Sequence, residues 1–481
     1  MQFFAVGGVL LFNQRKEKEL PHNKEKEEFI LSLKSLLFGR QKLSESPALS
    51  AFYSGDIAKW KDIYRGGGDW RYVRKGGMNG GMRKMASLGA AKAVCAELSR
   101  LCFTEGTEFS CSDKETEKYL RTVFDDNGFS ERFSDFLEKM FALGGGVIKV
   151  YWDGAPKLDF VSADAFVPTK WDGRGISGGA FGSLVSQNGK NYVLAETQEI
   201  TPQGLLTQNK LFRENGGEVP LSDCFPDLSE KSVLEGLSKP LFVYFRAASG
   251  TLSQCPPLGA SVFAGAEDTL KSIDTVFDSL SREFVLGKKR IIVPSYAVRG
   301  EYDENGELRH YFDVNDEVFE AFSASDTDEL KITDNTAELR VTQHVEALGE
   351  LLDLLCMQTG LSEGALSYKN GTIRTATEVV SRNSRTYRTT CFYRKLIAKS
   401  LERVAQNICI LAKMAGALSP SASEDVQIRF ADGVCEDEGT RAERAASLYK
   451  NGLISRTRAL SEIYGITLDA AKAMETEDFN G

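Results

Sequence analysis

The stretch Leu361–Met414, LSEGALSYKNGTIRTATEVVSRNSRTYRTTCFYRKLIAKSLERVAQNICILAKM, decides how the remainder of the chain is read. Its first third is a polar, glycine-bearing loop around Lys369, Asn370 and Gly371. Neither Gly nor Pro occurs between Thr372 and Ala415. Apolar residues recur there at Ile373, Ala376, Val380, Tyr387, Cys391, Ile397, Leu401, Val404, Ile408 and Leu411. That three-and-four spacing predicts one helix with a single buried stripe, interrupted only at Asn383 and Arg394. Roughly forty residues at about 1.5 Å each make a rod of about 60 Å, more than a compact domain needs. Such a rod is a beam that other parts hang from; the alternative is a long core helix of a helical enzyme.

The segments before the beam share one period. Val341–Met357 steps in heptads through Val341, Val345, Leu348, Leu352 and Leu355, and the stretch 266–286 does so through Leu270, Ile273, Phe277, Leu280 and Phe284. Between them lies a small β-rich insert, with a strand over Arg290–Tyr296 and a hairpin turning at Asn305-Gly306. Two helices of like period flanking a compact insert predict an antiparallel stalk with the insert at its tip. Further upstream, Trp60, Tyr64 and Trp70 anchor a short helix and turn, and helices are expected over 82–102, 113–125 and 130–143. The last stops at Gly144-Gly145-Gly146. Strand-like runs follow at Val147–Trp152, Leu158–Val161, Asn191–Glu196, Gly204–Phe212 and Leu241–Arg246. Helices and then strands indicate an α+β unit rather than a βαβ array. Beyond Pro420 a strand is expected at Val426–Phe430, and short helices at Glu438–Lys450, Ser455–Tyr464 and Thr467–Glu475.

Composition narrows the function classes. A chain of 481 residues with 42% hydrophobic content is folded and holds about two to four domains or forms one extended, multi-part subunit. Its net charge of −9 argues against a generally basic, nucleic-acid-gripping surface. Charge is unevenly placed, however. Glu301–Arg340 carries thirteen acids against three bases, and Gly371–Met414 nine bases against two acids. Adjacent opposite extremes suit subunits that dock on one another. Nine cysteines, odd in number and without a CxxC pair, fit a reducing compartment. Met1–Phe12 lacks the basic start and cleavage site of a signal peptide, and no apolar run is long enough to span a membrane. The expectation is a soluble, intracellularly made protein.

The search for a reaction centre returns nothing. Gly173–Gly178 spells GxGxxG, but the flanking sequence reads as loop, whereas a dinucleotide fold needs a strand before and a helix starting within. Glu301–Phe312 imitates a calcium loop but ends in Phe where the bidentate Glu belongs. The histidines His22, His310 and His344 are scattered. No GxxxxGK[ST] or HRD pattern occurs. Stalk, tip and beam without a reaction centre describe an assembly part.

The order of segments resembles the phage portal protein, or head–tail connector, and is most similar to portals of siphophages from Gram-positive hosts. The matching stretches are Ile63–Trp70 (IYRGGGDW), Leu143–Asp153 (LGGGVIKVYWD), Pro257–Lys288, Thr359–Tyr387 and Leu448–Ile454 (LYKNGLI). The resemblance implies a portal-type fold of α+β class: an N-terminal arm (1–40) and an α/β wing (41–265), with two stem helices (266–290 and 341–358) flanking a β-rich clip (291–340). A tunnel loop (359–372), a spine helix (373–418) and a C-terminal strand with crown helices (419–481) complete it. It further implies a ring of about twelve copies at one capsid vertex, through which double-stranded DNA is packaged and ejected. The implied partners are the terminase large subunit, a head-completion adaptor, and the major capsid and scaffolding proteins. No membrane, catalytic residue, metal or cofactor is implied. Ser367, Tyr368, Lys369, Asn370, Gly371 and Thr372 would face DNA. Asp303, Glu304, Asn305, Gly306 and Glu307 would form the clip's docking tip, and Arg382, Arg385 and Arg388 would lie between subunits. Two alternatives stay open: another oligomeric scaffold or tail component, and a nucleic-acid enzyme with an unrecognised carboxylate site.

Overall fold

The structure, a computed structural model, describes residues 52–74, 82–103, 108–172, 175–213, 217–247, 258–286, 291–292, 299–302, 308–311, 333–334, 338–366, 384–430, 438–464, 471–472 and 474–475. In chain order, α1 (Ala58–Tyr64) precedes the strand pair β1 (Tyr72–Arg74) and β2 (Met82–Lys84). Then come α2 (Ala90–Cys102), β3 (Glu108–Cys111), α3 (Lys114–Asp126) and α4 (Phe129–Leu143). Nine strands follow: β4 (Gly145–Asp153), β5 (Ala155–Ser162), β6 (Phe166–Asp172), β7 (Gly175–Gln187), β8 (Lys190–Thr201), β9 (Gly204–Arg213), β10 (Glu218–Val219), β11 (Lys231–Glu235) and β12 (Phe242–Arg246). Next is α5 (Glu267–Leu286), and then the short strands β13 (Ile291–Ile292), β14 (Arg299–Tyr302), β15 (Leu308–Tyr311) and β16 (Thr333–Asp334). The chain closes with α6 (Val341–Thr359), α7 (Ser384–Met414), β17 (Val426–Arg429), α8 (Glu438–Lys450) and α9 (Arg456–Tyr464). These elements form two compact units, one from residues up to 68, 89–267 and 353–481, the other from 69–88 and 268–352.

The first unit is built on two antiparallel sheets. One has the order β12-β4-β5; the other runs β10-β9-β8-β7-β6, with β11 also pairing β9. Apolar residues of β4, β5, β6, β7 and β12 meet where Val147, Val161, Phe166, Phe181 and Phe242 pack together. On α4, Phe129, Phe133 and Phe136 form the centre of a second aromatic cluster reaching Phe103, Phe124, Phe160 and Phe245. α4 ends where Gly144 turns left-handed (φ 83°), and a Cβ there would sit 2.4 Å from the Gly259 carbonyl oxygen. The three-glycine stop is therefore both a conformational and a packing requirement.

One ion pair is buried between the sheets. Lys149 of β4 places Nζ 2.6 Å from Glu196 Oε2 of β8 and 3.6 Å from Asp159 Oδ2. Gln198 Nε2 donates to the other Glu196 oxygen at 2.7 Å. Burial opposes the Lys149 charge, but the Glu196 and Asp159 carboxylates outweigh it and hold its pKa above the ordinary lysine value.

Three expectations need correction. The helix expected over 82–102 begins only at Ala90; Met82–Lys84 is strand β2. The reason is that the Ala86 and Leu88 amides donate to Asp278 and Asp274, leaving the helix to start after left-handed Gly89. The GxGxxG segment is not flanked by loop but lies at the β6–β7 junction, with Gly175–Gln187 a thirteen-residue strand. The next glycine on that strand makes room for a ring: a Cβ on Gly179 would lie 2.4 Å from Phe166 Cε2. With no helix beginning there, the dinucleotide reading fails on geometry. Third, the buried stripe of α7 does not pass through Tyr387 and Cys391. Tyr387 is 47% exposed, and the buried positions are Thr386, Thr390, Tyr393 and Arg394, followed by the expected Ile397, Leu401, Val404 and Ile408. Two threonines and an arginine were hidden from a purely apolar count.

In the second unit, α5 carries Leu270 and Ile273 inward as expected, although Phe284 is 53% exposed. Ser279 Oγ lies 3.0 Å from His344 Nε2, and Glu283 pairs with Arg340 at 3.1 Å. These pairings run in opposite sequence directions, so α5 and the start of α6 are antiparallel, the stalk geometry anticipated from the heptads. β14 pairs with β15 across the predicted Asn305-Gly306 turn, which itself lies outside the described residues.

Candidate functional site

The candidate site is the passage from α6 to α7. α6 ends with the Leu361 amide donating to Cys356 O at 2.8 Å around Gly360, which is left-handed at φ 80°. This is the usual glycine-terminated helix end. A Cβ on Gly360 would lie 2.8 Å from Thr389 Oγ1, so α7 passes close to the turn. Leu361 is fully buried. Gly364 N donates to Asp353 Oδ1 at 2.8 Å.

Ser362 and Thr386, both buried, then lock the two arms together. Ser362 N donates to Thr386 Oγ1 at 2.7 Å, Thr386 N to Ser362 Oγ at 3.1 Å, and Thr386 Oγ1 to Ser362 Oγ at 3.0 Å. Thr386 lies near the first described residue of α7, and Ser362 gives its amide a side-chain acceptor from far away in sequence. Ser362 and Thr386 are therefore held at one point.

That point stands on a rigid base. Tyr393 of α7 packs edge-on against Phe141 of α4 at 4.9 Å. Arg394 Nη2 donates to Leu101 O of α2 at 2.9 Å, with its guanidinium over Phe430. Asn407 Nδ2 donates to Pro240 O at 3.3 Å. The arginine that interrupts the apolar stripe is thus a buried strut, its charge solvated by a carbonyl at the end of α2.

A second fastening lies in the other unit. Asp274 and Asp278 sit one turn apart on α5. Asp274 accepts from Trp70 Nε1 and Leu88 N, both at 3.1 Å. Asp278 accepts from both Arg83 guanidinium nitrogens at 2.7 Å and from Ala86 N at 2.9 Å. The Arg83 fork holds the Asp278 carboxyl below the usual range. The sequence signal for this strap was two aspartates, four residues apart, beside a heptad stripe. The IYRGGGDW glycines have a separate role, because Gly68 N donates to Asp62 Oδ2 at 2.7 Å and a Cβ on Gly67 would overlap that carboxylate.

Among the anticipated residues, Arg385 and Arg388 lie exposed on the first turns of α7. Arg382, Ser367, Tyr368, Lys369, Asn370, Gly371 and Thr372, and the tip residues Asp303, Glu304, Asn305, Gly306 and Glu307, lie outside the described residues. Among the described residues no group of His, Cys, Asp and Glu could hold a metal ion, and no helix is long and apolar enough to cross a membrane. Burial pushes the Cys102 and Cys409 thiols up to about 12, so neither is a nucleophile at neutral pH. A cavity of about 400 Å³ between α1, α4 and β5 contains Asp164. Burial works against that carboxylate's charge, but Lys61 and the Ser162 hydroxyl hold its pKa below the ordinary value, the opposite of a poised general base.

The chain is similar to chains in three solved particles: a virion of a native gene transfer agent particle (12% identity, 79% of this chain and 89% of that one, TM-score 0.41), the neck of an empty gene transfer agent particle computed with C6 symmetry (13%, 79% and 89%, 0.43), and the neck of a native one computed with C12 symmetry (12%, 77% and 87%, 0.39). No curated protein matches. The family model described as phage portal protein, SPP1 Gp6-like, matches residues 56–479, so the chain belongs to the phage portal protein family, a structural component of the particle and not an enzyme.

Proposed function

We propose that about a dozen copies of this chain close into a ring at one capsid vertex. Double-stranded DNA enters and leaves through the channel of that ring. The terminase large subunit and then a head-completion adaptor dock on the clip residues Asp303–Glu307, and capsid and scaffolding proteins surround the ring as it assembles in the host cytoplasm. The observation that carries this reading is the Ser362–Thr386 lock at the foot of residues 363–385 in a chain of the portal family. With Ser362 and Thr386 held at one point, the tunnel loop expected over 359–372 can reach into a channel without the subunit deforming.

Charge is consistent with passage rather than grip. Each phosphate neutralised by a fixed base adds salt-dependent affinity, which would impede sliding. The Glu301–Arg340 segment has a net charge of −10, and Lys369 is the one base in Ser367–Thr372. Lys369 meets the phosphate backbone transiently in this scheme. Lys369→Ala is expected to lower the amount of DNA packaged per particle while rings still form. Normal packaging by that variant removes the role of Lys369. Electron microscopy of the purified protein tests the whole: hollow rings support it, and a monomer at every concentration overturns it.

A further inference from the structure

The outward face of α7 is unlike the surface of an acidic chain. Over about four turns it presents Arg385, Arg388, Phe392, Lys395, Leu396 and Lys399. Phe392 is 53% and Leu396 37% exposed, one turn apart, so they form a continuous apolar ridge among four cations. A large aromatic beside arginines is the composition of an interface anchor rather than of free surface.

α6 carries the complementary pattern. At helical spacing, Glu346, Glu350, Leu354 and Met357 share one exposed stripe, with Leu354 46% and Met357 49% exposed. None of the six charges on the two stripes is in an ion pair with another described residue. The two patterns also agree in register. Both begin with two charges followed by an apolar residue, and Arg385/Glu346, Arg388/Glu350, Phe392/Leu354 and Leu396/Met357 are offset by 38 or 39 positions, with Lys395 and Lys399 flanking Leu396 on α7.

We propose that this face of α7 packs against this face of α6 in a second copy of the chain. The two helices lie parallel, with Phe392 and Leu396 seated on Leu354 and Met357, and Arg385 and Arg388 facing Glu346 and Glu350. Because the two patches differ, the contact is head-to-tail, and a head-to-tail contact generates a ring or a filament rather than a two-fold dimer. The proposal rests on the ring reading above and names the surface that builds it.

The test uses the full chain and its Phe392→Ser, Arg388→Glu and Glu350→Arg variants, together with the Arg388→Glu/Glu350→Arg swap. Assembly is read by sedimentation velocity and particle imaging. Each single variant is expected to raise the concentration at which rings form by about tenfold or more, the effect of losing one interface anchor. The swap should return it towards wild type, an outcome that misfolding cannot imitate. If wild type forms rings and the single variants match it, or the swap fails to recover, this interface is refuted and the ring stands. If wild type never forms rings, the ring reading fails and this proposal falls with it.

Discussion

The Ser362–Thr386 lock carries a quantitative expectation for the first described residues of α7. Ser362→Ala leaves the Thr386 amide and hydroxyl without their acceptor in a buried position. Two orphaned donors at about 1–3 kcal/mol each, softened by relaxation, give an expected loss of about 2–4 kcal/mol. Thr386→Val orphans only the Ser362 amide directly, a loss of about 1–3 kcal/mol. The hydroxyl–hydroxyl bond is removed by either substitution, so the double variant should cost about 1 kcal/mol less than the two losses added.

The loss should be local. The C-terminal half of α7 is held independently by Leu401, Val404 and Ile408, all fully buried. Opening therefore begins at the first turns of α7 and at 360–366, while the body stays folded. Amide hydrogen exchange measures this. Protection across residues 384–390 should fall about 30- to 1,000-fold in Ser362→Ala, at about 1.4 kcal/mol per tenfold, with exchange in β4 and β8 unchanged. A change below about threefold, or strict additivity in the double variant, would show that the two arms are held by something else.

Three further outcomes follow from the same geometry. Lys149→Met strands Glu196 in the interior and should cost about 3–5 kcal/mol, whereas Lys149→Met/Glu196→Leu should recover most of that; urea unfolding distinguishes the two, and equal stability of the single variant and wild type refutes it. Asp278 titrates below its unfolded value because of Arg83, so its contribution is complete above about pH 4 and is lost as the pH falls through its folded value. Asp278→Asn should accordingly lower stability at neutral pH and flatten the acid limb of a pH–melting profile; an unchanged acid limb counts against the strap. Gly179→Ala should cost about 1–3 kcal/mol by driving a methyl into Phe166, with partial rescue by Phe166→Leu in thermal melts, and a neutral effect would mean that the ring moves freely.

The elements whose sequence carried a strong local period were legible. α4 with its glycine stop, the heptad stretches of α5 and α6, and the C-terminal half of α7 follow from apolar spacing alone. Ser455, read as a helix start, accepts the Arg458 amide at 3.2 Å. The failures share one cause, a distant residue overriding a local pattern. Residues 82–89 have the apolar spacing of a helix, but Asp274 and Asp278, far along the chain, take the amides a helix would have used. Gly175–Gln187 is glycine-rich enough to read as loop, yet the rings of Phe166 and Phe242 need Gly179 inside a strand. Such partners are ordinary residue types at large separation, and no window along one sequence contains both.

That same limit explains how the beam is used. Read locally, α7 has a single apolar stripe with two flaws, which suggests a helix bearing on one neighbour. In the fold, one supposed flaw, Arg394, braces the helix on the Leu101 carbonyl, while Thr386 replaces an apolar contact with a three-bond lock. Polar anchors constrain angle and position together, where an apolar stripe alone tolerates sliding and rotation. A helix fixed in rotation can present a defined outward face, and without that fixing the ridge of Phe392 and Leu396 would have no constant direction. The anchors on the inner side of α7 are therefore a precondition for any specific contact on its outer side. Relaxing Thr386 should weaken assembly even though Thr386 is buried within its own chain. Ring formation by Thr386→Val at wild-type concentration would separate the two faces and refute the coupling.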